Sequence, residues 1–376
     1  MKVVIGTYWP LGGHIVVGDH HYARLLAKMG IDTMVISHVR SPLHIIWKME
    51  GFNINFRVRS LGRHLYSFTP FSLVPLTDRF ELCNRLLGKL SLRLTIPRLR
   101  KGLERSGFEQ VNVLWISNFA LYPLIRELHY DKLVARITDD PTGWHRQSRT
   151  INEWANETIS KSDYVFTTAY SLWLRYNRLR DNVIYVPNGV DYDHFALRPQ
   201  PIPVEYQGKI KSPRVVYVGA IDWWFDEDLV RKVAEQLPDV NFVLIGPVRV
   251  KLRLLKRLDN VFFLGPKSYD LIPKYLAHSD LGIIPFKDNQ LVRSVSPIKM
   301  LEYLAAGLPV VSSPMPEAER INPPVVFAED AAGFLEGVRH LIYNKPDSQY
   351  LKAFAQTHSW ENRLKIICQY LFSEVR

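Results

Sequence analysis

Cysteine is almost missing: Cys83 and Cys368 are the only two in 376 residues. Two thiols cannot build a disulfide framework, and their scarcity fits a reducing compartment. Long hydrophobic runs are missing too, since no stretch approaches the roughly 20 apolar residues that span a bilayer. The start, MKVVIGTYWP, carries one lysine and a short apolar run ended by Tyr8, Trp9 and Pro10, so it reads as a first strand rather than a signal peptide. Repeats of solenoid period and low-complexity tracts are also lacking. His20 and His21 stand at no metal-like spacing from Cys or Asp, and no metal is expected. What remains is ordinary globular composition, 47% apolar and 23% charged, which excludes a disordered, collagen-like or disulfide-scaffold chain. At 376 residues, about twice the usual single-domain size, two domains are expected. The chain should be soluble or rest on a membrane surface.

Negative charge is the scarcer sign, 37 acidic residues against 48 basic, for a net +11. The excess is local: residues 1–200 hold 26 basic and 17 acidic side chains, and the remainder 22 and 20. Within residues 57–105 there are 11 basic against 3 acidic. Leu82, Leu86, Leu90 and Leu94 recur there every four residues, with Arg85, Lys89 and Arg93 one step round, the pattern of an amphipathic helix with a basic flank. Pro97 would end that helix and open a second short basic one carrying Arg98 and Arg100 and running through Arg105. Upstream, Tyr66, Phe68, Phe71, Leu73 and Leu76 stand among prolines and read as an insertion loop. Two readings stay open. Either Arg85, Lys89, Arg93, Arg98 and Arg100 dock on an anionic membrane, each contributing about 1 kcal/mol, or the leucine stripe faces the core and the arginines are merely solvated.

Along the chain, apolar runs alternate with helix-like spacers. Residues 2–8, 32–39, 111–117, 132–138, 163–169 and 182–189 read as strands buried on both faces, which argues a parallel, doubly wound sheet. The pattern restarts at 214–220 and continues through 241–247, 260–266, 280–286 and 308–314. Between the halves lie Pro199, Pro201, Pro203 and Pro213, a linker composition. The expected fold is α/β, with two Rossmann-like domains facing across a cleft: 1–198, a linker 199–213, and 214–358. A tail helix, 359–376, packs back on the first domain. Ligands of open α/β sheets bind beyond the carboxyl ends of the strands.

The most specific stretch is SVSPIKMLEYLAAGLPVVSS, residues 294–313. Pro297 fits a helix start and leaves backbone N–H groups from Ser294 through Ser296 to Ile298 available to an anion. Lys299 and Glu302, three apart, share one helix face. A cation near phosphates and a carboxylate beside vicinal hydroxyls is what a nucleoside diphosphate requires; a plain surface ion pair is the competing reading. Trp224, just after a strand, could flank a nucleotide or sugar, or pack between domains. Gly12, Gly13 and His14 follow the first strand, where glycines permit close backbone approach and where a simple turn is equally consistent.

The run Pro297-x-Lys299-x-x-Glu302-Tyr303-x-Ala305-x-Gly307-x-Pro309-Val310-Val311 resembles the donor-site helix of GT-B fold glycosyltransferases. Pro187-Asn188-Gly189-Val190-Asp191 is similar to the close of their acceptor domain. Gly219-Ala220-Ile221 with Trp224-Phe225-Asp226 resembles the opening of the donor domain in the teichuronic-acid and GumK-like xanthan glucuronosyltransferase group. Gly246-Pro247, Leu264-Gly265-Pro266, Pro285-Phe286 and Ser359-Trp360-Glu361-Asn362 continue the likeness, which is strong over 180–375 and thinner before. The resemblance implies sugar transfer from a nucleotide-sugar to a hydroxyl, without a bound metal. UDP is the implied nucleotide and glucuronate a candidate sugar. In this reading Lys299 neutralises the leaving diphosphate, as a metal-free leaving group requires, and Glu302 holds the ribose.

Retaining members of glycosyltransferase family 4 carry a second Glu eight residues before Glu302; here that position is Ser294, so inversion is expected. Inversion needs a general base. The resemblance puts it in Arg136-Ile137-Thr138-Asp139, directly after a buried strand, with Asp139 as base and Asp140 the spare; a turn or helix cap at Asp139-Asp140-Pro141 is the alternative. A histidine at the His20 position recurs on the acceptor side of the group. The whole reading is a transferase peripheral on the cytoplasmic membrane face, acting on a lipid-linked saccharide in surface polysaccharide synthesis. A retaining family-4-type enzyme, a polyanion-binding protein and a nucleotide-sugar epimerase are the alternatives.

Overall fold

The computed structural model describes residues 1–13, 15–42, 57–75, 85–96, 98–138, 148–196 and 200–372. The chain divides into two compact units, Met1–Pro187 with Leu364–Arg376, and Asn188–Arg363. Each is a mainly parallel sheet with helices between its strands.

In the first unit β1 (Lys2–Gly6), β2 (Asp32–Ile36), β3 (Arg59–Gly62), β4 (Leu65–Phe68), β5 (Gln110–Ile116), β6 (His129–Ile137), β7 (Tyr164–Thr167) and β8 (Val183–Tyr185) form one sheet in the order β3-β4-β2-β1-β5-β6-β7-β8. All pairings are parallel except β3 with β4. The central strands are largely apolar because helices cover both faces, and Val3, Val4 and Ile5 are fully buried. The helices include α1 (Gly18–Lys28), α2 (Arg85–Arg93), α3 (Leu99–Arg105), α4 (Arg149–Lys161) and α5 (Tyr170–Asn177). Ser148 starts α4, its hydroxyl accepting from the N–H of Ile151 at 3.2 Å.

Two expectations for the basic segment change. The stretch read as an insertion loop contributes β4, which pairs with β2, and Phe68 is fully buried with Leu92, Leu99 and Leu103. Its four residues are too few to show a period, yet they satisfy the backbone groups along the outer side of β2. The leucine stripe also turns out differently: Leu86 and Leu94 are 69% and 50% exposed, while Leu92 is 2% exposed. Gly88 sets that orientation, since a Cβ there would lie 2.1 Å from the Trp154 ring on α4. Arg93, Arg98 and Arg100 are exposed; Arg85 and Lys89 lie on α2.

The second unit carries β9 (Arg214–Val218), β10 (Asn241–Ile245), β11 (Val261–Gly265), β12 (Leu281–Ile284), β13 (Val310–Ser312) and β14 (Val326–Phe327), in the order β11-β10-β9-β12-β13-β14. Its helices include α6 (Glu227–Glu235), α7 (Ile298–Ala305), α8 (Ala331–Tyr343) and α9 (Ser348–Thr357). The unit begins at Asn188 rather than at the expected 214, because Val190, Phe195, Tyr206 and Ile210 belong to its core. Much of the expected linker is thereby part of the second unit, and the Arg214 guanidinium lies 4.7 Å over the Tyr206 ring. The final helix α10 (Trp360–Leu371) clusters with the first unit from Leu364 onward. There Tyr370 meets Tyr164 at 5.5 Å, and Lys132 donates to the Leu371 carbonyl at 3.2 Å.

At the carboxyl ends of β9 and β10 the backbone closes tightly. Gly246 has φ +148°, and a Cβ on it would fall 1.9 Å from the Gly219 carbonyl oxygen. Only glycine fits such an approach. Gly246→Ala should lower stability by about 1–3 kcal/mol, read as the midpoint of urea unfolding; an unchanged midpoint would contradict this close contact.

Candidate functional site

In the second unit, α7 leaves the carboxyl edge of β12 through Ser294, Ser296 and Pro297. Apolar residues Met300, Leu301, Tyr303, Leu304 and Ala305 bury one broad face. Tyr303 reaches the sheet, where its hydroxyl accepts from the N–H of Val218 at 2.7 Å; burial pushes that phenol well above its ordinary pKa. This anchor sets the rotation of α7 and leaves Glu302 at the rim, 5% exposed, with Lys299 Nζ donating to it at 3.1 Å. The carboxylate is thus sunk in the protein while its partner lysine is 39% exposed. Lys299 and Glu302 are brought together as the spacing predicted.

Ser294 and Ser296 are both buried and already bonded. Ser294 Oγ donates to the Leu291 carbonyl at 3.1 Å, ending the short turn Gln290–Arg293. Ser296 Oγ accepts from the N–H of Asn188 at 3.0 Å, tying the approach to α7 to the start of this unit. Helix α7 has no side-chain cap at Pro297. Gly219 follows β9, with its N–H donating to Ile245 at 2.9 Å. Trp224 is half-buried against the core of this unit, and its carbonyl accepts from the N–H of Lys287 at 2.8 Å, which joins the β9 exit to the β12 exit. A cavity of about 510 Å³ opens on the same edge, lined by Asp226, Phe286, Lys287, Arg293 and Ser313; Lys299 and Glu302 do not line it.

In the first unit, Arg136 is not on an open rim. It is 2% exposed, and its Nη1 donates to Asp19 Oδ1 at 3.1 Å inside the protein. The same carboxylate accepts from Ser117 Oγ at 2.9 Å and Thr7 Oγ1 at 3.0 Å, and Ser117 in turn accepts from Trp115 Nε1 at 2.9 Å. One buried acid therefore joins α1 to the carboxyl ends of β1, β5 and β6. Asp19 was overlooked in the sequence, although an acid in the first turn after a strand favours a helix N-terminus. His20 is also buried, its Nε2 2.9 Å from the Trp9 carbonyl and its Nδ1 3.5 Å from the N–H of Val17. Burial pushes its pKa down, opposed by the Trp9 carbonyl. Gly13 closes a turn by donating to the Pro10 carbonyl at 3.2 Å. His14, Asp139 and Asp140 lie outside the described residues. Just before Asp139 the chain is held by Thr168 Oγ1, which donates to the Thr138 carbonyl at 2.7 Å.

Among the described residues no three His, Cys, Asp or Glu side chains are grouped to hold a metal ion, and no helix is long and apolar enough to cross a membrane. Because removing one partner of a buried pair strands the other charge, Asp19→Ala should cost about 3–5 kcal/mol. Asp19→Asn, which keeps an acceptor oxygen, should cost less. Chemical denaturation measures both, and Asp19→Ala at wild-type stability would deny the network any structural weight.

Comparison with known proteins bears on these features. Residues 212–344 match the family described as Glycosyl transferases group 1. TuaH of Bacillus subtilis (strain 168), named as a teichuronic acid biosynthesis glycosyltransferase, is 29% identical over 203 residues, 51% of this chain and 51% of that protein. The match thus spans about half the length of this curated relative. Among solved structures, sucrose-phosphate synthase from Thermosynechococcus elongatus superposes with TM-score 0.70 at 13% identity, covering 99% of this chain and 100% of that one. HepE of Anabaena in complex with UDP gives TM-score 0.65 at 15% identity, covering 99% and 100%. WaaG, a glycosyltransferase of lipopolysaccharide biosynthesis, gives 0.63 at 15% identity, covering 99% and 100%. Residues 212–344 are thus similar to a glycosyl transferases group 1 domain, and the chain has the two-domain GT-B fold.

Proposed function

We propose that the protein is a metal-independent, inverting glycosyltransferase that moves a sugar from a nucleotide-sugar, UDP-linked and with glucuronate as the leading candidate, to a hydroxyl of a lipid-linked saccharide in surface polysaccharide synthesis. The observation that carries this reading is the sunken Glu302 paired with Lys299 on α7, at the carboxyl edge of a group 1 domain. A nucleotide laid on that edge offers its ribose hydroxyls to Glu302 and its diphosphate to Lys299 and the uncapped start of α7. The acceptor oxygen attacks the anomeric carbon, the bond to the diphosphate breaks with its electron pair leaving on phosphate oxygen, and the acceptor proton passes to Asp139. Support for Asp139 is its place two residues beyond β6, in the stretch that resembles the GumK-like base.

This assigns different phenotypes to two variants. Glu302→Gln should weaken UDP binding by about 10- to 100-fold, the worth of hydrogen bonds to a charged group, read by isothermal titration. Asp139→Asn should bind UDP normally but transfer about 10²-fold more slowly to acceptors in a membrane extract. Wild-type UDP affinity in the first variant would remove Glu302 from the donor site, and normal turnover in the second would remove Asp139 from the chemistry.

The reading extends to the membrane. Leu73, Leu86, Leu94 and Ile96 are exposed beside Arg93, Arg98 and Arg100, and apolar side chains interspersed with cations suit an anionic lipid surface. In this reading the protein lies peripherally on the inner face of the cell membrane. The triple change of Arg93, Arg98 and Arg100 to Ala should reduce co-sedimentation with phosphatidylglycerol vesicles, at about 1 kcal/mol per cation, and raised salt should do the same. Binding indifferent to salt and to the triple change would reject this docking surface.

A further inference from the structure

Arg40 is the most unusual charge in the first unit. It is 2% exposed, and its Nε and Nη2 have no hydrogen-bond partner among the described residues. No carboxylate among those residues forms an ion pair with it. Tyr8 meets the guanidinium, yet its Nε–Nη2 edge stays unanswered, and a buried donor edge left so is costly, so its retention needs a reason other than packing. Burial pushes its pKa down and Tyr8 partly offsets that, but a guanidinium stays charged in any case.

The location points to a ligand. Arg40 lies beyond the carboxyl end of β2, held there because its N–H donates to Pro70 and its carbonyl accepts from Ser72, both at 2.8 Å. Its guanidinium carbon stands 5.7 Å from the Tyr8 ring and 5.9 Å from the Trp9 ring, both just after β1. Tyr8 stacks on His38 at 5.0 Å, and the Asn118 amide beyond β5 is 3.2 Å from His38 Nδ1. The His20 ring fixes the loop by meeting the Trp9 carbonyl at 2.9 Å. Aromatic faces, a fixed cation and an amide thus converge on the edge where open α/β sheets take ligands. Nε and Nη2 form one side of the guanidinium fork, the edge that receives a carboxylate or phosphate with two parallel hydrogen bonds.

We propose that Arg40, with Tyr8, Trp9 and His38, forms a subsite for an anionic saccharide, a sugar bearing a carboxylate or phosphate that Arg40 grips while the aromatic rings cover the sugar. This rests on the transferase reading insofar as the occupant is the acceptor. The test titrates the full-length protein with methyl glucuronide, glucose 6-phosphate, inorganic phosphate and the neutral methyl glucoside, and separately with UDP. The wild-type protein should prefer at least one anionic sugar over methyl glucoside by about 10- to 100-fold. Arg40→Gln and Arg40→Met should abolish the preference while UDP affinity is unchanged. Preference for the glucuronide identifies a carboxylate, and preference for glucose 6-phosphate a phosphate. Arg40→Met should also melt higher than wild type, since it removes a buried charge with two donors unanswered. Equal binding of anionic and neutral sugars, a response to inorganic phosphate alone, an undiminished preference in both variants, or a lower melting temperature for Arg40→Met would overturn the subsite. Loss of UDP binding by the wild-type protein would instead count against the transferase reading itself.

Discussion

The buried Asp19–Arg136 pair is the constraint around which the carboxyl edge of the first unit is arranged. Two opposite charges out of water are tolerated only when geometry is good and remaining hydrogen-bonding capacity is filled. Thr7 and Ser117 fill it on the acid, each from the first residue beyond its strand. The consequence is positional. The exits of β1, β5 and β6 and the start of α1 cannot shift independently, so the loops beyond those strands begin from defined points. The Tyr8–Trp9 loop is one, and the stretch leading to Asp139 is another.

The second unit reaches a similar end by another route. There the anchor is neutral, with the Tyr303 hydroxyl taking the N–H of Val218 in the middle of the sheet. Since α7 is apolar over most of its surface, this single polar contact and the packing around it decide which way its few charged groups point. Glu302 falls next to the anchor and is drawn into the protein, and Lys299, one turn earlier, remains reachable from solvent. At the neighbouring strand exits the backbones of Gly219 and Gly246 approach too closely to admit a side chain on Gly246.

The long, two-faced strands and the restart of the pattern after residue 213 were legible because period and composition act locally. The Lys299–Glu302 pairing was legible for the same reason, since a helix puts residues three apart on one face. What escaped was set by distant partners. Four-residue β4 shows no period of its own and exists because β2 needs a neighbour. The leucine spacing of α2 left membrane docking and core packing both open, and Gly88, which lets Trp154 approach, was not among the signals read. Arg136 looked like a rim residue, and its destination depended on an acid 117 positions away. The boundary between the units was misplaced because prolines mark irregular backbone, whereas Tyr206 and Ile210 mark burial.

By itself the sequence determined two α/β halves, a nearly neutral second half carrying Lys299 and Glu302 on one helix face, and a first half holding most of the positive charge. Those properties follow from spacing and counting along the chain. Only the tertiary structure decided which charges are used internally and which remain available. Arg136 is consumed by Asp19, Arg93, Arg98 and Arg100 stay in solvent, and Arg40 is buried with two donors unanswered. A formal charge reads the same in all five cases; its meaning depends on dielectric surroundings and partners, and these exist only once the strands are side by side.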